Sequence, residues 1–213
     1  MKKIWIADAV LLIPALVAAK PPEHQQPGLL IREYNLARIS ESDMRKAHTI
    51  VVHTFHQVGI AINFKEGDSS AAEGLATDMS APIRAMSPAH PDYVVIRIVT
   101  DRQTGMPAGP LGFALPFARL GAQATIFSER VERLAAVESL SPVVLLGYAI
   151  AHEIGHVLLR SSNHSATGIM RPVWTRSDFH WMICGAFDFN AADSIAIRSI
   201  LQTELVSSGK SSR

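Results

Sequence analysis

Cysteine is almost absent from this chain, with Cys184 the only one in 213 residues. A single thiol forms no internal disulfide and cannot supply a zinc site built from several thiolates. Cys184 therefore reads as a buried free thiol. An excess of one charge is lacking too: 20 Lys and Arg against 19 Asp and Glu leave a net charge of +1, with no basic block. Nothing here has the electrostatic footprint of a nucleic-acid partner or a polybasic membrane patch. Internal repeats are missing, and no glutamate occurs between Glu153 and Glu204. What remains is 48% hydrophobic and 18% charged, an ordinary globular balance in a chain long enough to bury one core.

The first 19 residues differ in kind. Lys2 and Lys3 precede a largely apolar run from Ile4 to Val17, and Val17-Ala18-Ala19 supplies the small residues that a signal peptidase reads. They predict a signal peptide over 1–19 and a secreted or periplasmic mature chain. No later segment reads as membrane-spanning, and a monomer is expected. The Pro- and Gln-rich residues 20–28 predict an extended leader.

The body of the chain, 29–206, reads as a single α+β domain. Strands are predicted over Leu29–Arg38, Ile60–Phe64 and Tyr93–Val99, with two more extended pieces at Leu111–Pro116 and Gln123–Ser128. Helical spacing of apolar residues predicts a helix over Ser40–Val58, started by Ser40 or Ser42 and stopped by Gly59. Residues 65–91, rich in Gly, Ser, Ala, Asp and Pro, predict a long surface excursion. Ser141-Pro142 opens a strongly apolar helix to Leu159, because proline fits a first helical turn whose N–H has no partner anyway. A loop is predicted over Arg160–Phe189, then a helix from Asn190 to about Leu205, and a disordered tail over 207–213.

The apolar helix carries His152-Glu153-Ile154-Gly155-His156. Histidines four apart project from one helix face, one turn from each other, and two imidazoles so placed reach a single Zn²⁺. Glu153 would contact a water molecule rather than the metal, take its proton and pass it to a leaving amine. Two histidines and a glutamate on so apolar a helix are costly to bury unless something pairs with them. A catalytic zinc takes three protein ligands and keeps an open position. His164, just past the helix, is the favoured third ligand, with Asp178 and His180 as alternatives. The lack of a glutamate before Glu204 disfavours a ligand from a distant helical glutamate.

The stretch HEIGHVLLRSSNHSATGIMRP resembles the active site of the metzincin zinc endopeptidases, and the His164-Ser165 pair resembles their matrixin branch. The resemblance implies a zincin-like mixed twisted sheet with an active-site helix and a C-terminal helix. It implies His152, His156 and His164 as zinc ligands and Glu153 as general base. Met170 would be the methionine packed beneath the metal. It also implies a peptide or protein substrate laid extended along an edge strand, either Leu111–Pro116 or Gln123–Ser128. Two departures stand out. The family pattern puts glycine three residues after the second histidine, where this chain has Leu159, and His164 arrives two residues late. Asn163 or a serine is then expected to turn the chain. A protein that keeps the fold and the zinc but only binds is the alternative, and the intact Glu153 favours the enzyme. His48, His53 and His56 read as partly exposed helix residues, and Trp174, Phe179 and Trp181 as core.

Overall fold

The computed structural model describes residues 28–67, 93–101, 109–116 and 122–210. The predicted signal peptide, nearly all of the leader and most of the 65–91 excursion lie outside the described residues. Five strands form one sheet: β1 (Gly28–Asn35), β2 (Ala61–Glu66), β3 (Tyr93–Val99), β4 (Gly112–Leu115) and β5 (Gln123–Phe127). Their order is β2-β1-β3-β5-β4. All neighbours pair parallel except β4, which runs antiparallel to β5. The helices are α1 (Glu41–Gln57), α2 (Ser128–Val137), α3 (Pro142–Leu159), α4 (Arg176–Ile183) and α5 (Ala191–Lys210). The fold is the expected α+β arrangement with a mixed sheet.

All five residues of β5 are buried, as befits a strand between two neighbours with both of its faces covered. Among the described strands β5 is thus interior, and β4, like β2 at the far side, is an edge. On the helix side, Ala124 and Ile126 join Ile31, Ile96 and Ile98 in the core against Leu145, Ile150 and Ile154 of α3. α3 has a mean hydropathy of 1.5 over its 18 residues, enough by length and composition to cross a bilayer. This corrects the reading that no later segment is apolar enough; the helix meets its apolar demand inside the fold, where 78% of it is buried.

α1 crosses α3 closely. A side chain on Gly147 would begin 2.8 Å from Ile50 Cβ and 3.0 Å from the Ala47 carbonyl oxygen. Ser40 caps α1 by accepting from the Asp43 amide at 3.2 Å. His48 of α1 meets the buried Glu33 carboxylate at 2.8 Å and stacks on Phe64 at 3.8 Å. It therefore has a structural partner.

Two helices lie where none was predicted. α2 starts directly off β5 at Ser128, so no turn residues mark the change of period. Its Arg130 stacks over the Phe127 ring, bonds Asp101 at 2.7 Å and holds the Pro110 carbonyl at 2.9 Å just before β4. α4 falls inside the predicted loop 160–189, announced only by a capping box between Thr175 and Asp178. It turns Asp178, Phe179 and Met182 inward and leaves Cys184 at its end exposed, against the expectation of a buried thiol. α5 continues to Lys210, beyond the predicted end near Leu205.

The α1–α3 contact gives a direct test. Gly147→Val should overpack the crossing and destabilise the fold by about 1–3 kcal/mol, seen as a lower denaturant midpoint with an unchanged slope.

Candidate metal centre

α3 brings His152 and His156 to one face, and the loop after it returns His164 to them. The Nε2 atoms of His152 and His156 are 3.1 Å apart, and those of His156 and His164 are 3.3 Å apart. Three ligands about 2.1 Å from one tetrahedral ion would sit about 3.4 Å from each other. Asp178 and His180, the alternatives for the third position, are not in this cluster. Asp178 caps α4 and pairs with Arg171 at 3.0 Å. Burial opposes its charge, but the Thr175 donors and the Arg171 guanidinium hold its carboxyl below the usual carboxylate range. His180 sits on exposed α4 with its Nε2 3.8 Å from Cys184 Sγ.

The tautomers of the helical pair follow from their partners. His152 Nδ1 lies 2.7 Å from the Ile169 carbonyl, and His156 Nδ1 lies 2.8 Å from the Ser161 carbonyl. A carbonyl only accepts, so both Nδ1 atoms carry the proton. In the neutral rings, both Nε2 atoms then present lone pairs to each other across 3.1 Å. A proton does not relieve this at neutral pH. Burial pushes His152 down to about 4, despite the Ile169 bond that favours the charged ring, and His156 and His164 add to the drop. Burial lowers His156 as well. Two buried lone pairs converging with a third imidazole suit a borderline-soft divalent cation such as zinc.

The turn off α3 is made by Arg160 itself, and not by Asn163 or a serine. Arg160 adopts φ 49° and ψ 42° in the left-handed region, where glycine is the usual occupant. The Arg160 N–H bonds the Val157 carbonyl and the Ser161 N–H bonds the His156 carbonyl, both at 3.2 Å. That pair of bonds is a Schellman motif. It also aims the Ser161 carbonyl back at His156 Nδ1, so one turn ends the helix and orients an imidazole of the cluster.

The loop that carries His164 is fastened to the start of α5. Ser165 donates its N–H to the Met170 carbonyl at 2.8 Å and its hydroxyl to Asp193 at 2.8 Å. Asn190 bonds the Thr167 carbonyl at 3.1 Å and Asp193 at 2.8 Å. Gly168, at φ +75°, lies where a Cβ would come within 2.7 Å of the Asn190 nitrogen. Met170 is fully buried, and a Cβ on Gly155 would clash with its sulfur, so it packs under the helix one residue before His156.

Glu153 is buried, and its Oε2 has no hydrogen-bond partner among the described residues. Burial raises its carboxyl to about 8. Gly112 of the edge strand passes directly over it: a Cβ there would lie 2.9 Å from Glu153 Oε1 and 2.6 Å from the Thr125 carbonyl. Trp174 was expected to be core. It is half-buried and stands edge-on to His152 with ring centroids 5.7 Å apart. Phe179 is core, whereas Trp181 is 48% exposed. The roles of Trp174, Gly112 and Arg160 had no sequence signal beyond residue type.

No protein-family model and no curated protein matches this sequence. Among solved structures the chain is similar to a zinc-dependent peptidase from Methanocorpusculum labreanum. Identity there is 11% and the TM-score 0.48, over 78% of this chain and 99% of that one. It is also similar to archaemetzincin from Methanopyrus kandleri, at 12% identity and TM-score 0.49, covering 86% of this chain and 99% of that one. Metalloproteinase-II from Bacteroides fragilis is 15% identical with TM-score 0.45, over 85% of this chain and 55% of that one. At such values, function rests on the geometry of the site.

The buried carboxyl makes a pH prediction for metal-free protein. The folded chain keeps a proton on Glu153 up to about 8, while the unfolded chain releases it near the ordinary 4.5. Between those values the folded state binds more protons, so this group lowers stability as pH rises through the window. Glu153→Gln carries no such titration. The metal-free variant should melt close to wild type at pH 4.5 and several degrees above it by about pH 8.5. Thermal melts of both chains across that range check the sign.

Proposed function

We propose that this chain is a zinc-dependent endopeptidase. The observation that carries the reading is the pair of buried imidazoles with Nε2 lone pairs 3.1 Å apart, joined by His164. A glutamate whose buried oxygen has no partner among the described residues follows the first of them. A zinc ion held there would act as a Lewis acid, polarising a peptide carbonyl and bringing the pKa of a water molecule toward ~7.

Glu153 then acts as general base. It takes a proton from the attacking water, whose oxygen bonds the carbonyl carbon. As the C–N bond breaks, Glu153 returns the proton to the departing amine. Burial already makes this carboxylate more basic than an exposed one, and a nearby cation brings its pKa down toward the working range. Met170 and Gly155 fill the space beneath the ligands, where packing rather than chemistry is required.

The register of the sheet supports a substrate laid along β4. Leu111 accepts from the Phe127 amide at 2.8 Å, so Leu111, Phe113 and Leu115 exchange hydrogen bonds with β5. In an antiparallel pair the alternate residues turn their polar groups outward. Gly112 and Ala114 therefore offer N–H and C=O to the edge that no described strand covers, and Gly112 does so beside Glu153. An extended peptide pairing there would carry its backbone past the three histidines. The order of charged, apolar and small residues over 1–19 supports export of the enzyme.

Purified chain should bind one zinc and cleave peptides, and a chelator should abolish cleavage. Glu153→Gln should retain zinc and lose about 10²–10⁴-fold in kcat. Undiminished turnover in that variant would remove Glu153 from the mechanism, and bound zinc without any turnover in wild type would leave a binding protein. Ala114→Pro removes one outward N–H without touching the β4–β5 ladder. It should lower kcat/KM by about 3–10-fold at unchanged zinc affinity, the value of one hydrogen bond.

A further inference from the structure

Trp174 lies beside the ligands, yet its ring is not one of them. Its indole Nε1 donates to the Ile169 carbonyl at 3.1 Å, the same oxygen that His152 Nδ1 meets at 2.7 Å. The Ile169 N–H is held in turn by the Asp188 carbonyl at 3.1 Å. Ile169 thus receives two donors on its carbonyl oxygen, while the peptide unit before it gives its N–H to a third group. A carbonyl oxygen has two acceptor directions near its plane, and two donors together fix how that plane is turned.

The indole is itself held in place. Its ring stands edge-on to His152 at 5.7 Å and 85°, and edge-on to Phe187 at 6.1 Å and 87°. Phe187 stands edge-on to Tyr148 at 5.6 Å. Tyr148 precedes His152 by four residues, one turn back along α3. The tryptophan is therefore braced against α3 directly at His152 and through Phe187 at Tyr148, while its N–H reaches the loop.

We propose that Trp174 is a positioning residue for the metal centre: by holding the Ile169 carbonyl, it fixes the tautomer and direction of His152. This rests on the reading of the three histidines as a zinc site. Groups that bond a ligand's second nitrogen tune metal affinity strongly, and Trp174 acts one bond further out.

The experiment compares Trp174→Phe with wild type and with Trp181→Phe, an exposed tryptophan outside the site. Zinc affinity is measured by competition with a chromophoric chelator, and geometry from the visible absorption of the cobalt-loaded chain. Trp174→Phe keeps an aromatic ring but loses the donor. It should weaken zinc binding by about 3–10-fold, below the 10–100-fold typical of a group bonded to the ligand itself. Its cobalt bands should also shift, with Trp181→Phe unchanged. Loss of a donor to a wall for substrate would move KM alone. Unaltered zinc affinity and cobalt bands in Trp174→Phe would overturn the proposal, whatever happens to KM. A wild-type chain that takes up no zinc would instead overturn the reading beneath it. An arm free of substitution guards against misfolding: in wild type, the Trp174 indole N–H should exchange with solvent far more slowly than that of Trp181, and its NMR resonance should move when zinc is added. Equal exchange of the two indoles would count against the bond.

Discussion

Two imidazole lone pairs, held facing each other at 3.1 Å inside the protein, set the demand that the surrounding structure meets. Helix geometry alone does not create that arrangement. Histidines one turn apart can swing their rings to solvent or turn either nitrogen inward. The carbonyls of Ser161 and Ile169 remove that freedom by accepting from Nδ1 of each ring. With burial suppressing protonation of both rings, the inward face becomes a place for a cation.

Both carbonyls come from tightly turned backbone. Ser161 is aimed by the left-handed turn at Arg160, a conformation that costs a residue with a Cβ roughly 1–2 kcal/mol. Ile169 is aimed by a segment tied to the head of α5 through Asp188, Asn190 and Asp193. The same ties place His164, since Ser165 is bonded to Met170 and Asp193. The C-terminal helix thereby holds the histidine cluster together without adding a histidine to it. Gly155 lets Met170 close the underside, and Gly112 lets the edge strand approach Glu153. In each case the missing Cβ permits a contact that the site uses.

The core of the fold was readable because its local signals agree. Tyr93–Val99 is a β-branched run and forms the strand its pattern implies. Ser141-Pro142 starts α3 where proline is tolerated, although the serine side chain makes no capping bond. α2 and α4 were not readable. α2 follows β5 with no intervening turn, and α4 is eight residues with three inward positions, too short for a period to show. Cys184, at the end of that short helix, was misjudged with it and stands exposed.

The sequence by itself determined the chemistry available: His152, Glu153 and His156 share an apolar helix, and their spacing is a property of that helix alone. It also carried His164 and Met170 as members of the site, through a resemblance in residue order. Only the tertiary structure decided that His164, and not Asp178 or His180, joins the pair, because that depends on how the four residues after α3, Arg160–Asn163, close the loop. The sequence offered no glycine for the closing turn, and Arg160 makes it in a left-handed conformation instead. The choice of β4 as the edge strand is likewise a matter of sheet order, which no local pattern encodes. The partners of Nδ1 are backbone carbonyls, identical in every residue, so their positions exist only in the folded chain.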